Sequence, residues 1–499
     1  MRPLSELVWV SGNGPDGSWP TFWRKFRLLP RRLWKSLNRS KFALLSFCPS
    51  HSAPELPLLV TMKFRRTIVL SVTAVLVAIP GVNAVPETFP EVKDLPVRPE
   101  MPDALTMDDG AKVTTVAQWR ARREEIKAIL EHYELGHAPP APGNLRGWDL
   151  KSALLLNGTA NYRLVHLKFG PESNPGFDIA IFIPAKSAGP FPTIINPSFF
   201  NTPGVAVTNK PPPPSDAVTN LQQRLRWIFG APVAPERAAE GFSNQLARGY
   251  ALVTYRYTQC GEDNANFRHS SFYPAYPGYD WGVLLGWAWG LSRVVDYLET
   301  QPFANTNQLI VLGHSRLGKL VMVATAFDER IALGAPAGSS GAGTGAYRFC
   351  GPGRGGKEGI EDMTRKFPYY FVPRLKEFTG QMEKLPFEAY WYIALTAPRP
   401  WISVEGTDDQ NCVPNAVKKS ILAARPVYAF LGVSTNRVGV SYQPHRHALT
   451  AGDWEAALDF ADQQLRGIDH HRSFDQFPTE SASAVPDGVP SSTNKMVEP

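Results

Sequence analysis

Short apolar runs alternate along this chain with stretches whose apolar residues fall at helical intervals. Val116 to His137 sets Trp119, Ile126, Ile129, Leu130 and Tyr133 at roughly helical spacing and predicts a helix. Residues 160–184 hold Val165-His166-Leu167 and Ile179-Ala180-Ile181-Phe182-Ile183, which predict paired strands. Pro192 to Pro197 and Ala251 to Tyr257 predict two more. Trp281 to Glu299 predicts a helix with Gly282, Gly286 and Gly290 at every fourth place. A glycine inside a helix costs about 1 kcal/mol against alanine. The stripe therefore predicts a helix packed very close to another backbone. Leu309 to Leu312, Pro398 to Gly406, Pro426 to Leu431 and Val438 to Tyr442 predict further strands, and Gly452 to Leu465 a last helix. Such alternation predicts an α/β protein, a three-layer αβα sandwich around a mainly parallel sheet.

The ends of the chain read differently. Residues 1–61 carry a net charge of +6 and residues 62–84 add +3, so of the overall +7 a balance of −2 falls on residues 85–499. The basic pI therefore belongs to the N-terminus, and the body gives no electrostatic case for nucleic acid. From Met62, Lys63-Phe64-Arg65-Arg66 leads into an apolar run through Ile79 and a small-residue Val82-Asn83-Ala84. That order predicts a signal peptide over 62–84, with an apolar core too short for a comfortable membrane span. Export to the periplasm or the medium, without a stable membrane anchor, is the expectation. Residues 1–61 read as a non-native or disordered leader, 85–467 as the catalytic domain and 468–499 as a disordered tail. Lys210-Pro211-Pro212-Pro213-Pro214 reads as a rigid surface segment. Cys48, Cys260, Cys350 and Cys412 include no CxxC pair, so no zinc motif and no disulfide pairing is assigned.

The chemistry concentrates at Leu309-Ile310-Val311-Leu312-Gly313-His314-Ser315-Arg316-Leu317-Gly318-Lys319. A strand ends in a sharp turn with a serine at its apex, and a helix follows. A serine hydroxyl becomes a useful nucleophile when a tight turn presents it to a base. The usual pattern is G-x-S-x-G; here the second glycine comes one place late, with Leu317 in its stead. The Arg316 N–H, at the helix start, would face a developing oxyanion, a donor worth roughly 3 kcal/mol in the transition state. Lys319 lies one turn on, on the serine's side of the helix. A base belongs on the loop before the last helix, where His445-Arg446-His447 stands, and His447 is preferred. Asp408 and Asp409 follow a strand at the place expected of the acid, and either can fill it on this reading. The order Ser…Asp…His is that of the α/β-hydrolase fold.

These residues resemble carbohydrate esterase family 15, the glucuronoyl esterases, over about residues 120–465 and particularly the bacterial type. Trp287-Ala288-Trp289-Gly290-Leu291-Ser292-Arg293, Gly313 to Lys319 with its late glycine, Ala397-Pro398-Arg399-Pro400, and His447-Ala448-Leu449-Thr450 with Asp453-Trp454 carry the likeness. The resemblance implies hydrolysis of the ester between 4-O-methyl-glucuronic acid on xylan and lignin alcohols. It implies no metal or cofactor and a glucuronoxylan or lignin–carbohydrate ester as the partner; a monomer is expected. It makes Ser315 the nucleophile, Arg316 the oxyanion stabiliser and His447 the base, with Lys319, Glu358 and Tyr370 touching the sugar. Many members carry their acid as a glutamate after the nucleophile helix, where this chain reads Ala337-Gly338-Ser339-Ser340-Gly341. Others carry an aspartate after the later strand, and Asp409 aligns best with it. Asn411 and Tyr370 stand where tryptophans are common. Hydrolysis of another carbohydrate ester such as acetylated xylan, and a weakly active carbohydrate-binding homologue, are the competing readings.

Overall fold

The computed structural model describes residues 88–171, 175–207, 229–411 and 413–478. The expected leader, the signal peptide, the Pro211–Pro214 segment, Cys48 and Cys412 lie outside the described residues. The described part falls within one compact unit, Val82–Pro499 in its main span.

A nine-stranded sheet runs through it in the order β1-β2-β3-β5-β4-β6-β7-β8-β9. Its strands are β1 Arg146–Leu155, β2 Ala160–Lys168, β3 Gly176–Pro184, β4 Phe191–Ser198, β5 Ala251–Arg256, β6 Ala304–His314, β7 Leu333–Ala337, β8 Trp401–Gly406 and β9 Val438–Gln443. Strands β1, β2 and β3 pair antiparallel, as do β3 and β5; from β5 to β9 every pairing is parallel. The longer helices are α1 Val116–Leu130, α2 Val283–Leu298, α3 Arg316–Phe327, α4 Pro414–Phe430 and α5 Ala451–Ala461. Alternate residues of each strand feed different layers. Leu309 and Val311 of β6 join the core with α1 to α4, while Ile310 and Leu312 join the one with α5. Both faces are covered, which is why the parallel strands are apolar nearly throughout. The architecture is the three-layer α/β-hydrolase fold.

Two elements depart from the expectation. Pro426 to Leu431, predicted as a strand, is the C-terminal end of α4, with Pro426 inside the helix. Its buried positions include Val417, Ile421, Ala424 and Tyr428, a spacing of four, three and four that belongs to a helix. A short apolar run cannot by itself separate a buried strand from the end of a buried helix. Strand β1 was not predicted, because nine of its ten residues are exposed and no buried face marks it.

The glycine stripe of α2 is confirmed as a close-packing device, with one correction. A Cβ on Gly282 would come 2.2 Å from the carbonyl oxygen of Tyr370, a backbone contact. On Gly286 and Gly290 it would instead strike side chains, the Tyr273 hydroxyl at 2.0 Å and Cys260 Sγ at 2.5 Å. Helix α1 continues in a wider turn over Glu131–Leu135 that buries Glu134. The Tyr347 and Tyr392 hydroxyls both donate to Glu134, and burial pushes its carboxyl up to about 7. After α5, the predicted tail is described as far as Pro478. There Phe474 is buried against Phe460, and Val440 N–H of β9 donates to the Phe474 carbonyl at 2.8 Å.

Candidate active site

Ser315 joins β6 to α3 at φ 61 and ψ −126, a left-handed conformation that a non-glycine residue adopts only when its surroundings enforce it. The Ser315 N–H donates to the Ala337 carbonyl at 2.8 Å, tying the turn to β7. Both glycines of the motif serve this turn. A Cβ on Gly313 would lie 2.6 Å from the Leu317 carbonyl oxygen. One on Gly318 would lie 2.8 Å from Ser339 Cβ and 3.1 Å from the Gly313 carbonyl oxygen. Leu317 points into the core, so the residue that has to be small is the next one.

His447 Nε2 lies 2.8 Å from Ser315 Oγ, and its Nδ1 lies 2.6 Å from Asp409 Oδ2. A carboxylate only accepts, so the proton sits on Nδ1 and Nε2 is free to accept from the serine. Asp409 is buried, and its Oδ1 accepts from the Asn411 N–H at 2.9 Å. Asp408 is exposed. Its backbone N–H donates to the His445 carbonyl at 3.1 Å, and that of Thr407 to Gln443 at 2.9 Å, so the acid loop and the base loop are sewn together. Gly406 permits this approach, because a Cβ there would be 2.4 Å from the His445 carbonyl oxygen. The His445 ring is turned away to Asp453, with Nε2 at 3.0 Å, and that hydrogen bond raises its pKa. Asp453 also completes a capping box with Thr450 at the start of α5. His445 thus anchors the loop that carries His447.

Arg316 opens α3, where the first N–H groups of a helix lack intrahelical acceptors and the helix dipole is positive. Its guanidinium pairs with the Asp263 carboxylate and lies 5.3 Å from the Phe367 ring centre and 5.9 Å from that of Phe199. Asp263 is itself fixed by the Tyr257 hydroxyl at 2.6 Å and the Tyr369 hydroxyl at 3.0 Å. No signal in the linear sequence links Asp263 to Arg316; the two meet because both loops leave the same edge of the sheet.

Lys319 is buried, and its Nζ lies 2.9 Å from Glu358 Oε2 and donates to the Ser339 carbonyl. Burial alone would raise the Glu358 carboxyl, but the Lys319 ammonium overcomes it and the net shift is downward. Gly341 lets Glu358 come so close, since a Cβ there would overlap the Glu358 carbonyl oxygen at 1.5 Å. Tyr370 differs from the other sugar-contact candidates. It is 1% exposed and packs against Trp287 and Phe367 in the core, whereas its neighbour Tyr369 reaches Asp263. His314 is also drawn in: its ring centre lies 4.5 Å from that of His447. Burial, with His447 nearby, holds its pKa well below the usual value, so it stays neutral beside the base. Among the described residues no cluster of candidate metal ligands occurs.

A turn-borne serine, a histidine and a buried aspartate on an α/β-hydrolase sheet define a serine-type ester hydrolase. Residues 230–432 match the family described as "Glucuronyl esterase, fungi". The carbohydrate esterase MZ0003 of an unknown prokaryotic organism is 29% identical over 426 residues, covering 78% of this chain and 95% of the relative. A 4-O-methyl-glucuronoyl methylesterase of Phanerochaete carnosa is 27% identical, covering 74% of this chain and 81% of the relative. Among solved structures, a glucuronoyl esterase of Solibacter usitatus superposes with a TM-score of 0.63 at 26% identity, covering 75% of this chain and 99% of its own. A promiscuous CE15 esterase from a marine bacterial metagenome gives 0.62 at 27%, with 75% and 99% covered. In sequence and fold the chain is similar to the glucuronoyl esterases of carbohydrate esterase family 15, and these likenesses support a carboxylic ester hydrolase.

Proposed function

We propose that this protein cleaves the ester between 4-O-methyl-glucuronic acid on xylan and an alcohol of lignin, through an acyl-enzyme on Ser315. The observation that carries this reading is the position of His447, 2.8 Å from Ser315 Oγ on one side and 2.6 Å from Asp409 on the other. His447 takes the Ser315 proton as Oγ bonds to the uronate carbonyl carbon. The Arg316 N–H, at the helix start, donates to the carbonyl oxygen as it becomes negative. The imidazolium, stabilised by Asp409, returns the proton to the departing alcohol. Water then attacks the acyl-enzyme with His447 again as base, releasing the free acid. The Lys319–Glu358 ion pair, one helical turn from Ser315, supplies the contacts to the sugar hydroxyls. Export, and action as a monomer, complete the proposal; among the described residues no helix is long and apolar enough to cross a membrane. Hydrolysis of benzyl or methyl glucuronate tests it, with acetylated xylan as the competing substrate. Loss of turnover in Ser315→Ala is expected, and activity surviving that change overturns the reading. Preference for acetyl over glucuronoyl esters transfers the substrate class and leaves the mechanism.

A further inference from the structure

The strand registers place one side chain from each neighbouring strand in a row that ends beside Ser315. Trp148 of β1 pairs with His166 of β2, and His166 with Asp178 of β3. Continuing the antiparallel register of Ala180 with Thr254 sets Asp178 opposite Arg256 of β5. Arg256 pairs with Ser198 of β4, and the parallel register of Ile195 with Val311 extends from Ser198 to His314 of β6. Directly paired residues share a face of the sheet. This is the face on which Tyr162, Leu252, Ile194 and Leu312, two or more places along the same strands, build the core under α5.

The row is open to solvent only on the β1 side of the nucleophile. Trp148 is 46% exposed, the side chains of His166 and Asp178 are 37% and 21% exposed, and Arg256 and Ser198 are half-buried. Beyond His314, the row continues into Ala337, Val404 and Ser441, all buried. The open part therefore runs from Trp148 to Ser198 and closes at His314, which is buried next to Ser315. From β1 to β6 it crosses five inter-strand steps, about 24 Å at the usual ~4.8 Å each. A single uronate ester cannot bridge that length, but an oligomeric chain can.

The chemistry of the row suits a neutral polysaccharide. The Trp148 ring lies nearly parallel to the His166 imidazole, 6.3 Å apart at 28°, and presents an apolar face. His166 Nδ1 lies 2.7 Å from Asp178 Oδ1, and the Arg256 guanidinium is held by Asn201 and Thr258. Fixed donors and acceptors beside an aromatic plate match the hydroxyl edges and apolar faces of sugar rings. A lone exposed tryptophan is ordinary; this one heads a polar strip that ends at Ser198, one strand from the nucleophile strand.

We propose that the strip from Trp148 to Ser198 is a docking surface for the xylan backbone, which seats the chain several sugars away from the scissile ester. The inference rests on the glucuronoyl esterase reading. The test compares kcat/KM on glucuronoxylan carrying esterified glucuronates with kcat/KM on benzyl glucuronate, for the wild type, Trp148→Ala and Trp148→Tyr. In Trp148→Ala the polymer-to-small-ester ratio is expected to fall by more than twofold and up to about tenfold, the range of one aromatic stacking contact. Trp148→Tyr is expected to recover most of it. Native gels cast with unesterified glucuronoxylan read binding without turnover: the wild type is expected to be retarded and Trp148→Ala to run faster. A ratio kept within twofold, or equal mobility of wild type and Trp148→Ala, overturns the docking surface. Absence of hydrolysis of either ester by the wild type overturns the activity instead, and the gel still decides the surface.

Discussion

The Arg316 guanidinium is clamped by the Asp263 carboxylate, and Asp263 is held in turn by the hydroxyls of Tyr257 and Tyr369. The residue whose N–H leads α3 is thereby fixed before substrate arrives. Asp263→Asn keeps the size and removes the charge. A hydrogen bond to a charged group is worth about 1.5–3 kcal/mol, so kcat on benzyl glucuronate is expected to fall roughly tenfold to a hundredfold. KM should change little if Asp263 acts by positioning Arg316. A change confined to KM removes that role.

Asp409 and Asp408 are neighbours in sequence with different surroundings, one buried against His447 and the other exposed. Asp409→Asn deprives Nδ1–H of its carboxylate and favours the wrong tautomer. A loss of about 10⁴ in kcat is the scale for such a change. Asp408→Asn should stay within severalfold of wild type. Steady-state turnover of both variants, with matched circular dichroism, checks the assignment; the reverse order moves it to Asp408.

Lys319 and Glu358 form an ion pair in which neither side chain is much exposed. Removing one charge strands the other, so Lys319→Met or Glu358→Gln alone is expected to cost about 3–5 kcal/mol in denaturant unfolding. The double variant should recover part of that loss. The depressed Glu358 pKa sets the pH sign: its contribution is complete above the unfolded value near 4.5 and fades as pH falls through the lower folded value. The acid limb of stability should therefore flatten in Glu358→Gln.

Glu134 has the opposite sign. Its carboxyl is raised to about 7 from 4.5, so between these values the folded state holds a proton that the unfolded state has lost. Stability from this group is full below pH 4.5 and declines as pH rises towards 7. Thermal unfolding of Glu134→Gln from pH 4.5 to 7 should lack that decline. An identical slope in the two proteins means the group does not titrate there.

Legibility in the sequence followed the range of each signal. The strand, turn and helix around Ser315 are contiguous, and the loops bearing Asp409 and His447 each follow an apolar run, so their placement could be read along the chain. Asp263 could not, because its link to Arg316 exists only once β5 and β6 stand in one sheet. Helical spacing sets Lys319 on the serine's side of the helix, but only the fold reveals that it is buried against Glu358. Tyr370 was placed by likeness at the sugar, yet packs behind Tyr369 with Trp287. Strand β1 has no buried face to announce it, and the end of α4 imitates a strand because Pro426 and the apolar residues after it lack visible periodicity.

The pairing of Val440 with the segment around Phe474 and Asp475 lies at β9, the last strand of the sheet. Without that segment the strand would offer unmatched amide and carbonyl groups to any other extended chain. A chain ending at Gly467 would keep every element around Ser315 and still be expected to self-associate, with turnover per folded molecule preserved and soluble yield reduced. Light scattering beside active-site titration would separate the two effects. The segment around Phe474 and Asp475 then serves less as a tail than as a guard against fibre-like growth from one side of the enzyme.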